Sequence, residues 1–258
     1  ALPIYEYNSS DMFVNEIEAY KLARGKMIKF VNHRTLLRCN ALKSYLVTSF
    51  YLFGIKPVIY FSNGVLNKNE VMQFHSFDEF IMRLGYWSSW SGGMCCWKDE
   101  FDQYKDAEVY NKWFPHTNIL FKNHSSDIYF INDIVYLDEM PVGKIGKGRY
   151  DVFNAFAVEF PKIFLDMEKR GTISEDLFHY IKNEILQFIA FMYYGYVMHS
   201  KATSYDLSGY SASISQYYRH DEVMKVINEK YNTKLQEYRQ CRVLVIEYAE
   251  LPVKSVYD

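Results

Sequence analysis

Tyrosine constrains this chain more than any other residue type. Its 24 tyrosines stand beside 19 phenylalanines and 4 tryptophans in 258 residues. Each Tyr brings a large apolar ring and a hydroxyl that must find a partner once buried, so it is favoured where surfaces close on one another. With that many amphipathic rings and no local catalytic signature, the chain reads as one built to make contacts. Hydrophobic residues make up 49% and charged residues 23%, the usage of a globular protein with a sizeable core. The formal net charge of -2 exerts no pull toward nucleic acid or an anionic membrane and sets up little repulsion between copies.

The four cysteines are Cys39, Cys95, Cys96 and Cys241. No Cys-x-x-Cys spacing is present, and adjacent cysteines rarely bond to each other because the geometry is strained. They read as free thiols of a reducing, cytoplasmic setting. Ala1–Tyr7 has neither the basic nor the apolar region of a leader peptide, so Asn8-Ser9-Ser10 and Asn123-His124-Ser125 read as chance glycosylation patterns. The longest apolar run, Ile185–Met198, contains Gln187 and falls short of the ~20 residues a bilayer takes.

The patterning predicts a single α+β domain over 26–258, preceded by a helical arm over 1–25. Asn8-Ser9-Ser10-Asp11 is helix-starting chemistry, and Phe13, Ile17 and Tyr20 follow at helical spacing before Gly25. The helix Asp11–Arg24 packs on its own domain or on another subunit, and the second reading makes Phe13, Ile17 and Tyr20 the assembly face. Strands are expected at Lys26–Val31, Tyr45–Phe53, Val58–Ser62, Val71–Phe74, Asn118–Phe121, Ile128–Ile131, Ile134–Leu137, Asp151–Phe160 and Cys241–Glu250. Gly54-Ile55-Lys56-Pro57 would turn the second of these into the third as a hairpin. Capping boxes at Ser76/Glu79 and Thr172/Glu175 open helices, the second running to Gly195 with Leu177, Ile181, Ile185 and Met192 on one face. A further helix is expected over Asp221–Tyr238. Tyr86–Phe114, which holds all four tryptophans, and Asp138–Arg149 and Ser200–Ser215 read as irregular. The expected architecture is a mostly antiparallel, sandwich-like sheet flanked by helices.

Signals for chemistry are sparse. No Gly-x-Ser-x-Gly elbow occurs, and none of the seven histidines (His33, His75, His116, His124, His179, His199, His220) pairs with another at the spacing of a metal helix. Each reads as a surface or hydrogen-bonded histidine. Gly143-Lys144-Ile145-Gly146-Lys147-Gly148-Arg149 is the best anion site: glycines admit backbone N–H groups to a phosphate, while Lys144, Lys147 and Arg149 supply charge. A nucleotide is the cofactor such a loop would take, although none is required. The loop is neither a Walker loop nor a dinucleotide fingerprint, and a flexible solvated loop between strands is the plainer reading. Lys29, His33, Arg34, Arg38 and Lys43, with Phe30, offer a weak single-strand grip for which a solvated edge is the plainer reading. Asp99-Glu100 and Asp138-Glu139 are adjacent carboxylates, and neighbours in sequence point apart.

One layout resembles a known family. An N-terminal helix precedes a Tyr-rich hairpin, Tyr45-Leu46-Val47-Thr48-Ser49-Phe50-Tyr51-Leu52-Phe53 with Val58-Ile59-Tyr60-Phe61-Ser62, then an Asn-rich turn and the helix Phe77–Leu84. This order is similar to that of the cypovirus polyhedrins, which crystallise around virions in infected insect cells. The similarity extends up to Tyr86. It implies a cytoplasmic, non-enzymatic matrix protein whose partners are copies of itself and virions. It also implies a β-sandwich core, with nucleotides held between subunits in some members. The competing class is a virus- or phage-type enzyme or nucleic-acid factor working through the 143–149 loop.

Overall fold

The computed structural model describes residues 14–32, 35–106, 110–139 and 149–231. It is a mixed α and β fold in which helix outweighs strand, 54% to 12%. The first elements are helix α1 (Val14–Leu22), strands β1 (Met27–Lys29) and β2 (Thr35–Leu37), helix α2 (Ala41–Leu52) and strands β3 (Val58–Phe61) and β4 (Val71–Phe74). Helix α3 (Phe77–Leu84) follows, then two short 3₁₀ turns, strand β5 (Cys95–Trp97) and helices α4 (Lys98–Tyr104) and α5 (Pro115–Lys122). Strands β6 (Tyr129–Asn132) and β7 (Leu137–Glu139) precede a helical run: α6 (Val152–Asn154), a π-helical stretch (Ala155–Glu159) and α7 (Phe160–Lys169). Helix α8 (Glu175–Met192) passes into a second π-helical stretch (Tyr193–Met198), and α9 (Tyr210–Ile214) and α10 (220–231) complete the described chain.

The strands form a three-stranded sheet, β3-β6-β4, and two ribbons, β1-β5 and β2-β7. Three of the four pairings are antiparallel, as expected, but β3 runs parallel to β6. β3 is the pivot. All four of its residues are buried, as expected of a strand covered on both faces. Val58 and Tyr60 enter the main core, which gathers residues from Ile17 to Ile227. Ile59 and Phe61 enter a smaller cluster with Ala41, Tyr45, Cys95 and Trp97, and α2 roofs that cluster.

Three expected strands are helices. Tyr45–Leu52 lies within α2, with Phe53 as its C-cap, so the hairpin with Val58–Ser62 does not form. The protected positions of α2 are Ala41, Ser44, Tyr45, Thr48, Ser49 and Leu52, a period of one helical turn. The Tyr45 ring meets Phe61 edge-on at 4.9 Å and Tyr136 at 5.2 Å, and this packing overrides the strand propensity of the segment. Asn118–Phe121 is the core of α5, entered through Pro115 at its first turn. Val152–Phe160 is helical throughout and Asp151 is its extended cap, the carboxylate accepting from the Asn154 N–H at 2.8 Å. The wide turn at 155–159 lies directly before Pro161, whose missing N–H interrupts a regular ladder.

Other boundaries shift. The cap of α8 is Ser174 rather than Thr172, its hydroxyl accepting from Leu177 N at 3.1 Å, and the helical course continues past Gly195 to Met198. Ile134–Leu137 moves to β7, α9 lies inside the expected 200–215 loop, and β5 with α4 lies inside the expected irregular 86–114 stretch. The remainder of that stretch is held from below. Tyr60 bonds the carbonyls of Trp87 and Trp90, and a Cβ on Gly93 would fall 2.1 Å from the Tyr60 ring, so only glycine fits there. The Cys241–Glu250 strand, most of the 138–149 loop and residues 232–238 of the last helix lie outside the described residues. The expected sandwich is not what organises the fold, and the hairpin that carried the polyhedrin resemblance is replaced by α2 and a parallel strand pair.

Candidate interaction surface

The sequence expectation for assembly was the Phe13, Ile17 and Tyr20 face. Phe13 lies outside the described residues. Ile17 and Tyr20 are 7% and 2% exposed and belong to the chain's own core. Chemistry fixes the helix there as well as packing. The Tyr20 hydroxyl donates to Glu16 Oε1 at 2.6 Å, Glu16 Oε2 lies 3.3 Å from His116 Nδ1, and His116 Nε2 meets the Ser89 carbonyl at 2.7 Å. Burial opposes a charge on His116, yet the Glu16 carboxylate and the Ser89 carbonyl outweigh it and raise its pKa. Burial likewise pushes Glu16 up, and His116 with the Tyr20 hydroxyl brings it below its ordinary value. Helix α1 is thus docked through an internal ion pair, a role the sequence did not single out for His116.

The outward surface is supplied by α2 instead. Its inward face is Ala41, Ser44, Tyr45, Thr48, Ser49 and Leu52, mostly small or hydroxylic. Its outward face is Leu42, Leu46, Val47, Phe50 and Tyr51, exposed by 58%, 63%, 44%, 79% and 76%. The usual amphipathic arrangement is reversed. Leu36 and Leu37 on β2 and Ile55 after the helix are also exposed. These eight side chains leave on the order of 800 Å² of apolar area in water, about what one partner contributes to a standard interface. The helix carries one charged residue, Lys43, near its start.

The basic residues expected around this segment do not form one groove. Lys29 turns inward, donating to the carbonyls of Phe30 and Gly92 and lying 5.4 Å from the Phe61 ring centre. Burial brings its pKa down to about 8. Arg38 is paired with Asp138 at 2.7 Å, and Lys56 with Asp99. His33 and Arg34 lie outside the described residues. So do Lys144 and Lys147 of the glycine loop; Arg149 is described and exposed, one residue before Tyr150.

A second buried polar site escaped the sequence reading. Asp133, fully buried at the end of β6, accepts from Ser62 Oγ at 2.6 Å and from the backbone N–H groups of Leu66, Lys68 and Asn69 at 3.2, 2.7 and 3.3 Å. Burial pushes its pKa up, but these donors outweigh it and hold the carboxyl below its ordinary value. Every lone-pair direction is engaged, so Asp133 holds the 62–69 turns rather than a substrate. Its signal was the Asn63-Gly64 and Asn67-Lys68-Asn69 turn chemistry, which names the loop but not the anion that organises it.

Among the described residues, no group of three or more His, Cys, Asp or Glu is placed to hold a metal ion, and no helix is long and apolar enough to cross a membrane. No protein-family model matches the chain, and no curated protein matches it.

Proposed function

We propose that this protein is a structural, self-associating protein whose copies join through the outward face of α2. The observation that carries the reading is the reversed helix. Five large apolar side chains face water while Ala41, Ser44, Tyr45, Thr48, Ser49 and Leu52 face the fold, and exposed apolar area of this size marks an interaction site. A second copy of the chain fits the face best. The stripe complements itself across a two-fold axis. In an antiparallel pairing the lone Lys43 meets the C-terminal end of the partner helix, where the backbone dipole favours a cation. A formal charge of -2 sets up little repulsion between copies. Free thiols at Cys39, Cys95 and Cys96 suit a reducing, cytoplasmic setting. The proposal keeps the self-assembly expected from the sequence and drops both the hairpin and the N-terminal face on which it was first placed.

Directed crosslinking tests this. With Cys39 replaced by Ser, Leu46→Cys should crosslink two copies on mild oxidation, because position 46 lies at the middle of the stripe. A Cys at the exposed position Lys225, on α10, should not. Equal crosslinking at both positions, or none at 46, overturns the proposal, whether the face is then covered by another segment of this chain, a different protein or lipid.

A further inference from the structure

A cavity of about 440 Å³ opens between the 3₁₀ turn at 85–89, the helices at 152–156 and 188–196, and the 205 region. Its size falls within the range of small-molecule sites. Among the described residues, nine that line it are aromatic and none is Lys, Arg, His, Asp or Glu. Eight of the nine rings are half-buried and Phe191 is 53% exposed, whereas core rings such as Phe153 and Phe160 are fully covered. The rings are pre-arranged for stacking. Tyr86 lies flat on Phe188 at 4.7 Å with planes 13° apart, and Phe188 meets Phe156 edge-on at 4.9 Å.

Two further observations point to a ligand. Phe156 and Tyr196 sit in the two π-helical stretches, Ala155–Glu159 and Tyr193–Met198. Such wide turns cost hydrogen-bond quality and recur at functional sites. Trp87 and Trp90, whose indole N–H groups are donors, line the same cavity. Trp90 is seated by Gly92, where a Cβ would fall 2.5 Å from its ring.

We propose that this cleft binds an uncharged, flat heteroaromatic molecule that stacks on the aromatic walls and offers a hydrogen-bond acceptor to the indole donors. A charged ligand is disfavoured, since the described lining holds no counter-charge to replace the hydration an ion would lose. No α2 residue lines the cleft, although Thr35 of β2 does, beside Leu36 of the exposed apolar face.

Ligand-observed NMR on the full chain tests the proposal with 2-quinolone (flat, neutral, one carbonyl acceptor), quinoline-4-carboxylate and 1-octanol. Saturable binding of 2-quinolone is expected, with the carboxylate at least tenfold weaker. Trp90→Phe, which removes a donor, should weaken 2-quinolone about five- to tenfold. Phe191→Ala, at the exposed rim, should weaken it severalfold while leaving the fold intact, and so keeps the test decisive if the Trp90 variant misfolds. No saturable binding, equal binding of the carboxylate, or tighter binding of octanol overturns the proposal.

Discussion

At the scale of single residues, buried polar groups show where the fold is over-determined. Asp133 is the clearest. Replacing it by Asn turns an acceptor pair into one acceptor and one donor, leaving at least one of the Leu66, Lys68 and Asn69 backbone N–H groups without its acceptor. The cost should be about 3 kcal/mol, the sum of a lost charge-assisted bond and an unsatisfied donor. The pH dependence has a definite sign. A carboxyl held below its ordinary value of about 3.9 contributes stability above that value and loses it as pH falls through the folded pKa. Urea unfolding between pH 2 and 7 should therefore show wild-type stability falling below pH ~4, with a flatter curve for Asp133→Asn. Parallel curves would mean that the Asp133 bonds are not made in solution.

At the scale of elements, α1 and α2 exchange the roles the sequence suggested. Both were readable as apolar stripes. Leu42, Leu46, Val47, Phe50 and Tyr51 recur at helical spacing, but their β-branched and aromatic character favoured a strand. What the sequence did not contain is which side of α2 faces the protein, since a stripe normally marks the inward face. Helix α8 was legible because Leu177, Ile181, Ile185 and Ile189 face the core as the pattern implies. The 151–160 helix was missed although Asp151 is a cap residue, because short apolar runs carry both periods. For α1, the expected arm is an integral part of the core. Truncation of residues 1–24 should abolish cooperative thermal unfolding, and Tyr20→Ala alone should cost roughly 3–5 kcal/mol through the cavity it leaves. A truncated chain melting at the wild-type temperature would restore the view of α1 as a free arm.

At the scale of the whole molecule, many of the tyrosines close the fold on itself. Tyr20, Tyr45, Tyr60, Tyr129, Tyr193 and Tyr218 are buried. Burial pushes Tyr129 up to about 12 and Cys95 up to about 12, with Tyr20, Tyr60 and Cys96 well above their ordinary values. Groups whose folded pKa lies above the unfolded value contribute fully below the unfolded value and lose that contribution as pH rises past it. Lys29 acts oppositely. Its folded value of about 8 lies below the ordinary one, so the cost of burying its charge is relieved between pH ~8 and ~10.4. The sum is a melting temperature that holds to about pH 9 and drops steeply above about pH 10, as the unfolded thiols and phenols ionise. Calorimetry with tyrosinate absorbance followed in parallel checks this: unfolding and ionisation should coincide. Phenol ionisation complete before unfolding begins would contradict it.

Self-association through α2 is the claim on which the molecular account turns, and sedimentation velocity of the full chain across a hundredfold range of concentration measures it. The wild type should show concentration-dependent assembly. Phe50→Glu, at a position 79% exposed, should sediment as a monomer with an unchanged circular-dichroism spectrum, since a charge buried within the interface costs more than the interface can spare. A wild type that is monomeric throughout, or a Phe50→Glu variant that assembles as the wild type does, would contradict the account.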